Sequence, residues 1–321
     1  MKAVIIHNPL AGRLDVARQL PGVREALQDM GWTVELQYAS PPGKIDSLVR
    51  DAADSGAQAV FISGGDGSVG TAACSLAGTD VVLGVLPTGT ANVWATELGL
   101  PTRVNALGSE LTRSALAQAH GEIRRMDLGR CGRRLFMLWA GMGLDAYIVQ
   151  AVEPRTHRHR RIGLLNYMLK GLMAARHCKG SPLRILGENE TISGNMIVVI
   201  VSNIRLYAGG LINLDPQARV DDGQLSLWCF EGKTSWNALG HFARMLGGRH
   251  ISHPQVHRLS GRRFVVESLE KLPAQMDGEV AGQRRHLEIE VMPETLNVFL
   301  PKIDVPPVFG QLGAETGGLE S

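Results

Sequence analysis

The chain has 321 residues, of which 44% are hydrophobic and 20% are charged, so it can bury a sizeable core. This composition excludes intrinsic disorder and fibrous repeats as its main state. The net charge of +2 is too small to indicate nucleic-acid binding, so no nucleic acid is expected as a partner. At about 100–200 residues per domain, the length predicts two domains.

Short β-branched runs alternate with helical patterns over the first 125 residues. Apolar strands that alternate with helices are typical of a doubly wound, mostly parallel α/β sheet, which we expect over residues 1–125. The strands are predicted at residues 4–6, 33–36, 59–62 and 81–86, and the helices at 14–30, 45–55, 68–76, 91–98 and 105–120.

Helical patterns become rare after residue 125, and residues 126–301 are predicted to form a mostly antiparallel β domain, giving an α/β + β chain. Residues 302–321 lack apolar periodicity and are predicted to form a loose tail. The second-half strands are predicted at residues 134–140, 195–202, 224–230, 262–267 and 286–291, interrupted by helices at 161–177 and 235–246.

The four cysteines, at positions 74, 131, 178 and 229, form no C-x-x-C motif, which indicates reduced thiols and a cytoplasmic protein. Unbroken apolar stretches such as residues 196–201 are far shorter than the roughly 20 residues of a spanning helix. The N-terminal apolar run is too short for a signal peptide, because Asn8 and Pro9 end it. We therefore expect neither a membrane span nor secretion.

Three glycine-containing loops, at residues 8–13, 64–68 and 87–92, each follow a predicted strand and precede a predicted helix. Ligands of α/β sheets bind at the carboxyl ends of the strands, and backbone N–H groups at helix starts favour phosphate. A single loop of this kind is more often an ordinary tight turn. Three at matching sheet ends favour a phosphate site.

Asp66 lies inside the second loop, where a carboxylate would repel a phosphate unless a divalent cation lay between them. Asp221 and Asp222 precede Gly223 in a second acidic turn, which is either a hairpin turn or a site for a hard cation such as Mg²⁺. Asp277 and Gly278 form a third, and a role of the following Glu279 as a general base depends on its reach. The pattern predicts metal-assisted phosphate chemistry.

The segment between Arg155 and Lys179 places basic residues around an apolar helical stripe. It is either a cationic amphipathic helix that docks on anionic membranes or a helix with an apolar core-facing side and a solvated basic side. In the second case it also suits packing against the partner subunit of a homodimer. The residues favour neither interpretation over the other.

Six ordered motifs, taken together, resemble the diacylglycerol kinase catalytic family, which contains soluble bacterial lipid kinases related to sphingosine kinases and more distantly to NAD kinases. The resemblance covers nearly the whole chain and implies an N-terminal α/β nucleotide-binding domain, a C-terminal β-sandwich domain, and ATP and lipid meeting between them. The motifs are residues 8–12, 64–68, 87–101, 140–146, 221–223 and 277–279.

The resemblance also implies roles for individual residues. Asp66 is similar to the acid that orders the catalytic Mg²⁺, Glu279 to the proton acceptor, and Asp222, with the backbone carbonyls of Arg219 and Gln224, to a structural Mg²⁺ site. One departure is Val93, where many relatives carry an aspartate of the metal network. The implied ATP contacts are Asn8, Pro9, Leu10, Ala11, Gly12, Arg13, Ser40, Gly64, Gly65, Asp66, Gly67, Ser68, Val69, Gly70, Thr90 and Asn92.

We therefore expect ATP-dependent transfer of the γ-phosphoryl group to the hydroxyl of a neutral lipid such as diacylglycerol, with ATP and Mg²⁺ as cofactors. The alternatives are phosphorylation of a soluble acceptor, as in NAD kinases, and a nucleotide-binding regulator without turnover. The hypothesis of a lipid acceptor predicts a cytoplasmic protein that associates peripherally with the membrane through the segment between Arg155 and Lys179.

Overall fold

The computed structural model describes residues 1–12, 16–40, 44–102, 109–152, 179–302 and 308–310. Arg13 lies outside these ranges, and so does the segment between Arg155 and Lys179 except for Lys179 itself. The predicted helix at 161–177 is therefore also outside them. None of the helices in the described ranges combines the length and the hydropathy that crossing a bilayer requires.

Seven α-helices lie in the described ranges, and six of them either match a predicted helix or start within a few residues of one. The predicted helix at 14–30 begins only at Leu20, with Pro21 in the first turn, where its missing N–H costs nothing. The helices are α1 Leu20–Asp29, α2 Ile45–Asp54, α3 Asp66–Leu76, α4 Val93–Glu97, α5 Ser109–Ala119, α6 Leu144–Val152 and α7 Ser235–Leu246.

The first four strands form a parallel sheet, as the sequence predicts, and their order in the sheet is β2-β1-β3-β4. All residues of β3 and β4 are buried, because α1 and α5 cover one face of the sheet while α2 and α3 cover the other. This is the doubly wound arrangement. The strands are β1 Lys2–His7, β2 Thr33–Tyr38, β3 Ala59–Gly64 and β4 Val82–Pro87.

The strands of the second half pair antiparallel. β7 and β8 each pair with both β9 and β14, at different heights along those two strands, and so enclose a second apolar core. These strands are β5 Glu122–Cys131, β6 Arg134–Phe136, β7 Trp139–Gly143, β8 Ser181–Leu186, β9 Thr191–Ser202, β10 Leu206–Tyr207, β11 Ile212–Asn213, β12 Leu225–Glu231, β13 Val256–Gly261, β14 Arg263–Met276 and β15 Glu279–Leu300.

The last strand joins the two halves into one hydrogen-bonded sheet. β15 leaves its hairpin with β14, runs antiparallel to β5, and reaches β4, with which Asn297 and Val298 pair in parallel. β5 itself runs across residue 125, where the sequence places the end of the first domain. The prediction of a loose tail from residue 302 is wrong at Val308 and Phe309, which are buried in the core of the first half. Two isolated apolar residues in the sequence do not indicate such a contact.

Candidate active site

The three glycine loops meet at the carboxyl edge of the parallel sheet. The Asn8 side chain donates to the Ser68 hydroxyl at 2.8 Å and so ties the first loop to the start of α3. The Thr88 backbone N–H donates to the Gly64 carbonyl at 3.0 Å and ties the third loop to the second. The prediction that the three loops lie at the same edge of the sheet is therefore confirmed.

Two glycines allow the loop backbones to touch. Gly12 has a positive φ of 73°, and a Cβ there would lie 1.9 Å from the Thr88 carbonyl oxygen. A Cβ on Gly89 would lie 2.4 Å from the Cα of Gly65. Larger residues at either position would push the loops apart. Glycine is therefore required at both positions because the loop backbones lie so close together.

The other implied ATP contacts are arranged around this edge with different exposures. Pro9, Ser40, Gly67 and Thr90 are exposed there, whereas the Val69 side chain is buried in the core below α3, so that only its backbone could face a ligand. Leu10, Ala11 and Gly12 complete the first loop, in which the Leu10 N–H donates to the Asn8 side chain.

Asp66 is the first residue of α3 and faces the start of α4. One of its carboxyl oxygens accepts the Trp94 N–H at 3.2 Å. Burial raises the pKa of Asp66, and backbone N–H groups of residues 92–94 offset part of that rise. Among the described residues its carboxyl group is hydrogen-bonded by backbone N–H groups, and a partly buried carboxylate of this kind has the donor chemistry of a hard cation ligand.

Val93 lies at the first position of α4 and is buried in the core of the first half. Its side chain packs beneath the loop, and an aspartate at this site would place a charge against apolar neighbours. Asn92 before it has a left-handed φ of 51°, and its side chain accepts the Gly89 N–H at 2.9 Å. The valine at position 93, where many relatives carry an aspartate, therefore suits the apolar core in which its side chain is buried.

Asp277 and Gly278 form the two-residue hairpin turn between β14 and β15, with positive φ values of 49° and 77°. This confirms the hairpin reading of that motif. The Asp277 carboxylate accepts the N–H groups of Met137, Leu138 and Trp139 at 2.7, 2.8 and 3.1 Å. These bonds break the predicted strand at 134–140 into β6 and β7.

Glu279 follows this turn at the start of β15 with an exposed carboxylate, which lies 3.4 Å from an Arg134 guanidinium nitrogen. The turn lies against α3, since a Cβ on Gly70 would come within 3.2 Å of an Asp277 carboxyl oxygen. Cys74, one turn further along α3, is no competing nucleophile, because burial raises the pKa of its thiol to about 12. Glu279 thus lies on the α3 side of the site with its oxygens open to solvent.

Asp277 gives the site a measurable pH dependence. Burial raises its pKa to about 6 from an ordinary value of 3.8, and the charge of Asp66 adds to the rise. Its contribution to stability is therefore complete below pH 4 and is lost as the pH rises through 6. We expect the destabilisation caused by Asp277→Ala to be about 2 kcal/mol smaller at pH 7.5 than at pH 4, after allowance for partial exposure.

Urea unfolding of both proteins at a series of pH values measures this difference. Asp54→Asn, which removes an exposed carboxylate at the end of α2, serves as the matched control. A destabilisation that stays constant from pH 4 to pH 7.5 would show that Asp277 titrates as an ordinary carboxyl.

Asp145 is a partly buried carboxylate that accepts hydrogen bonds from two neutral side chains. Tyr207 donates its hydroxyl to one oxygen, and the Gln275 amide donates to the other at 2.5 Å. Burial raises the pKa of Asp145, and these two hydrogen bonds oppose the rise. Gln275 also accepts the Gly278 N–H at 2.8 Å, so this network fixes the turn that carries Glu279.

The second acidic turn gathers three carboxylates. Asp222 accepts the Gln224 N–H at 3.0 Å, Asp221 pairs with Arg124 at 2.7 Å, and the buried Asp127 accepts the Gly223 N–H at 2.7 Å. Partial burial raises the pKa of Asp222, and the negative charge of Asp221 adds to this rise. Carboxylate oxygens beside turn carbonyls suit Mg²⁺, which would relieve this accumulation of negative charge.

No three His, Cys, Asp or Glu side chains among the described residues are grouped so that they alone could hold a metal ion. A site at Asp222 would therefore need the carbonyls of Arg219 and Gln224 as further ligands. If Mg²⁺ binds there, it stabilises the nucleotide-free protein by about 2.7 kcal/mol at a concentration of 100 times its Kd. We expect Asp222→Asn to lose most of this gain.

Thermal melting with and without Mg²⁺, in the absence of nucleotide, tests this expectation. Asp80→Asn is the matched control, because Asp80 is exposed and lies far from Asp222 in the sequence. It should keep the full Mg²⁺ effect. An equal Mg²⁺ effect in Asp222→Asn and in the parent protein would remove Asp222 from the ligand set.

Glu97 connects the two halves of the chain. Its buried carboxylate accepts two hydrogen bonds from the Arg205 guanidinium, at 3.1 and 2.9 Å, and the Leu206 N–H at 2.6 Å. Arg205 and Leu206 lie between β9 and the end of β10, so this pair holds α4 of the first half against the second half. The sequence motif contained Glu97, but nothing local revealed its partner.

Asp127 is the clearest residue that sequence reasoning missed. It is fully buried in β5 and accepts N–H groups from Gly223 and Glu294. The available signal was a lone aspartate between Met126 and Leu128 in a short apolar run. A carboxylate in such a run must find buried donors, and these come from residues far away in the chain.

Comparison with known proteins agrees with this architecture. The sequence profile of the diacylglycerol kinase catalytic domain matches residues 2–131, and that of the YegS C-terminal NAD kinase beta sandwich-like domain matches residues 139–300. A diacylglycerol kinase of Staphylococcus carnosus is 24% identical over 314 residues, covering 94% of this chain and 99% of its own. A diacylglycerol kinase of Mycobacterium tuberculosis is 27% identical over 307 residues, covering 94% and 96%.

Solved structures share the fold. A diacylglycerol kinase from Bacillus anthracis superposes with a TM-score of 0.68 at 16% identity, covering 94% of this chain and 97% of its own. A further crystal structure from the same organism gives a TM-score of 0.75 at 19% identity, with the same coverage. The likeness extends over both halves of the chain.

Proposed function

The chain belongs to the diacylglycerol kinase family, with its catalytic domain and its YegS-type β-sandwich-like domain, and we propose that it transfers the γ-phosphoryl group of ATP to the hydroxyl of a lipid. The observation that carries the proposal is the meeting of three glycine loops around Asp66 at the carboxyl edge of the sheet. Such an edge supplies backbone N–H groups for phosphate oxygens.

The proposed reaction needs positioning and charge neutralisation more than covalent chemistry from the protein. Backbone N–H groups of the three loops hold the triphosphate, and the glycines let it approach. Magnesium fits the donors at Asp66 and Asp222, and at Asp66 it would offset charge on the β- and γ-phosphoryl oxygens when bound. The exposed Glu279 carboxylate accepts the proton of the attacking lipid hydroxyl.

We further propose a neutral lipid such as diacylglycerol as the acceptor, met by a cytoplasmic protein at the membrane surface. The segment between Arg155 and Lys179 is the membrane contact that the sequence suggests. Support comes from the two family profiles and from diacylglycerol kinase relatives that align over most of their length.

Parallel assays with labelled ATP and Mg²⁺ test the proposal, with vesicles containing diacylglycerol, with a sphingoid base, and with NAD as acceptors. We expect label in phosphatidate, lost when EDTA is added. Label in a soluble dinucleotide would identify an NAD kinase instead. ATP binding without transfer to any acceptor would identify a regulator and contradict the proposal.

A further inference from the structure

Helix α7 buries one side and exposes large apolar residues on the other. Its buried residues Ala238, His241 and Met245 lie over the β sheet of the second half. The exposed side carries Trp236, Leu239 and Leu246, which are 78%, 37% and 51% exposed. The spacing of three and then seven residues keeps these side chains on one side of the helix.

Two further exposed apolar side chains lie on segments next to α7. Leu211, between β10 and β11, is 47% exposed, and β11 packs against α7. Ile251, just after α7, is 48% exposed, and the adjacent His250 bonds the Leu214 carbonyl at 2.8 Å beside β11. We call Trp236, Leu239, Leu246, Leu211 and Ile251 the α7 apolar surface.

The chain segments that carry the α7 apolar surface contain basic but no acidic residues. No Asp or Glu occurs from residue 232 to residue 266, or from residue 203 to residue 214. The exposed Lys233 and Arg249 lie just before and just after α7, and Arg244 is partly exposed within it. Apolar side chains including a tryptophan, bordered by cations, are typical of helices that lie in the interface of an anionic membrane.

We propose that the α7 apolar surface docks on an anionic lipid bilayer, with α7 lying in the membrane plane. The proposal rests on the proposed function, since a lipid kinase must meet its acceptor at a bilayer. A second copy of the chain fits less well, because a two-fold contact would bring the cations that flank α7 in one copy, Lys233 and Arg249, close to those of the other. The Gly180 N–H donates to the Lys233 carbonyl at 3.4 Å, so the chain returns to α7 directly after Lys179.

Co-sedimentation with vesicles of phosphatidylcholine, with and without phosphatidylglycerol, tests the proposal. We expect the triple variant Trp236→Ser, Leu239→Ser, Leu246→Ser to lower partitioning at least about tenfold. Lys233→Gln and Arg249→Gln are expected to lower it about fivefold each, on anionic vesicles only. Leu269→Ser is the matched control, because Leu269 is 80% exposed but lies between Glu267 and Glu270.

Tryptophan quenching by brominated lipids gives a second readout that needs no destabilising variant. Trp236 is the most exposed of the five tryptophans, so quenching is expected in the parent protein and should disappear in Trp236→Phe. Equal partitioning of the triple variant and the parent, or absence of quenching in vesicle-bound parent protein, would overturn the proposal. So would a parent dimer in sedimentation velocity that the triple variant abolishes.

Neither readout requires turnover, so failure of docking and failure of the proposed kinase activity can be told apart. A short-chain diacylglycerol below its micelle concentration measures activity without a membrane. We expect the triple variant to phosphorylate it at the parent rate while losing activity on vesicles. An equal loss on both acceptors would indicate a damaged fold and contradict a docking role.

Discussion

The Glu279→Gln variant is expected to phosphorylate lipid about 10²- to 10⁴-fold more slowly than the parent protein, because glutamine cannot take the proton from the attacking hydroxyl. The side chain is exposed at the start of β15, so the fold should be unaffected. The loss should fall on kcat, with ATP affinity retained. Steady-state kinetics with diacylglycerol vesicles and calorimetric titration with ATP measure the two quantities.

Glu270→Gln provides the control for this experiment, since Glu270 is an exposed carboxylate on the neighbouring strand β14. Its kcat should equal that of the parent protein. A kcat for Glu279→Gln within about twofold of the parent would assign the proton acceptor to another group. Arg134→Gln, which removes the ion-pair partner of Glu279, is expected to retain turnover.

Glu97→Ala is expected to destabilise the protein by about 3–5 kcal/mol, because it leaves the Arg205 guanidinium without its buried partner. The Leu206 N–H would lose its acceptor as well. The free energy of unfolding from urea titration, with tryptophan fluorescence as the probe, measures the loss. The effect should be present without nucleotide, because the pair is internal to the protein.

The double variant Glu97→Ala, Arg205→Ala separates charge from packing. It should be more stable than Glu97→Ala alone, since the stranded cation is gone. Glu267→Ala is the matched control, because Glu267 and Arg184 form an exposed ion pair at 3.7 Å whose loss should cost less than about 1 kcal/mol. A loss below 1 kcal/mol for Glu97→Ala as well would contradict a structural role for the buried pair.

The sequence predicted the first half well because its signals are local. β3 and β4 are continuous apolar runs, and the glycine loops after them are recognisable by position alone. Gly12, Gly65 and Gly89 lie against residues of the other loops, so a short glycine motif in the sequence indicates a contact between distant parts of the chain. The convergence of these loops is the part of the site that local chemistry determines.

The remainder of the site depends on partners that are distant in the chain. Asp145 meets Tyr207 and Gln275, and no spacing along the sequence relates these three residues. The break between β6 and β7 is caused by Asp277, some 140 residues later. Elements such as β5, with adjacent arginines beside a buried aspartate, show neither clean alternation nor a helical period.

The course of β15 has a consequence for how the protein is made. The first sheet can pair with Asn297 and Val298 only after these residues have left the ribosome, long after β4 has been synthesised. Until then this edge of β4 is unpaired around Leu83, and an unpaired strand edge is a template for association with other chains. Contacts of such long sequence separation slow folding, so this part of the first sheet is covered only when β15 is in place.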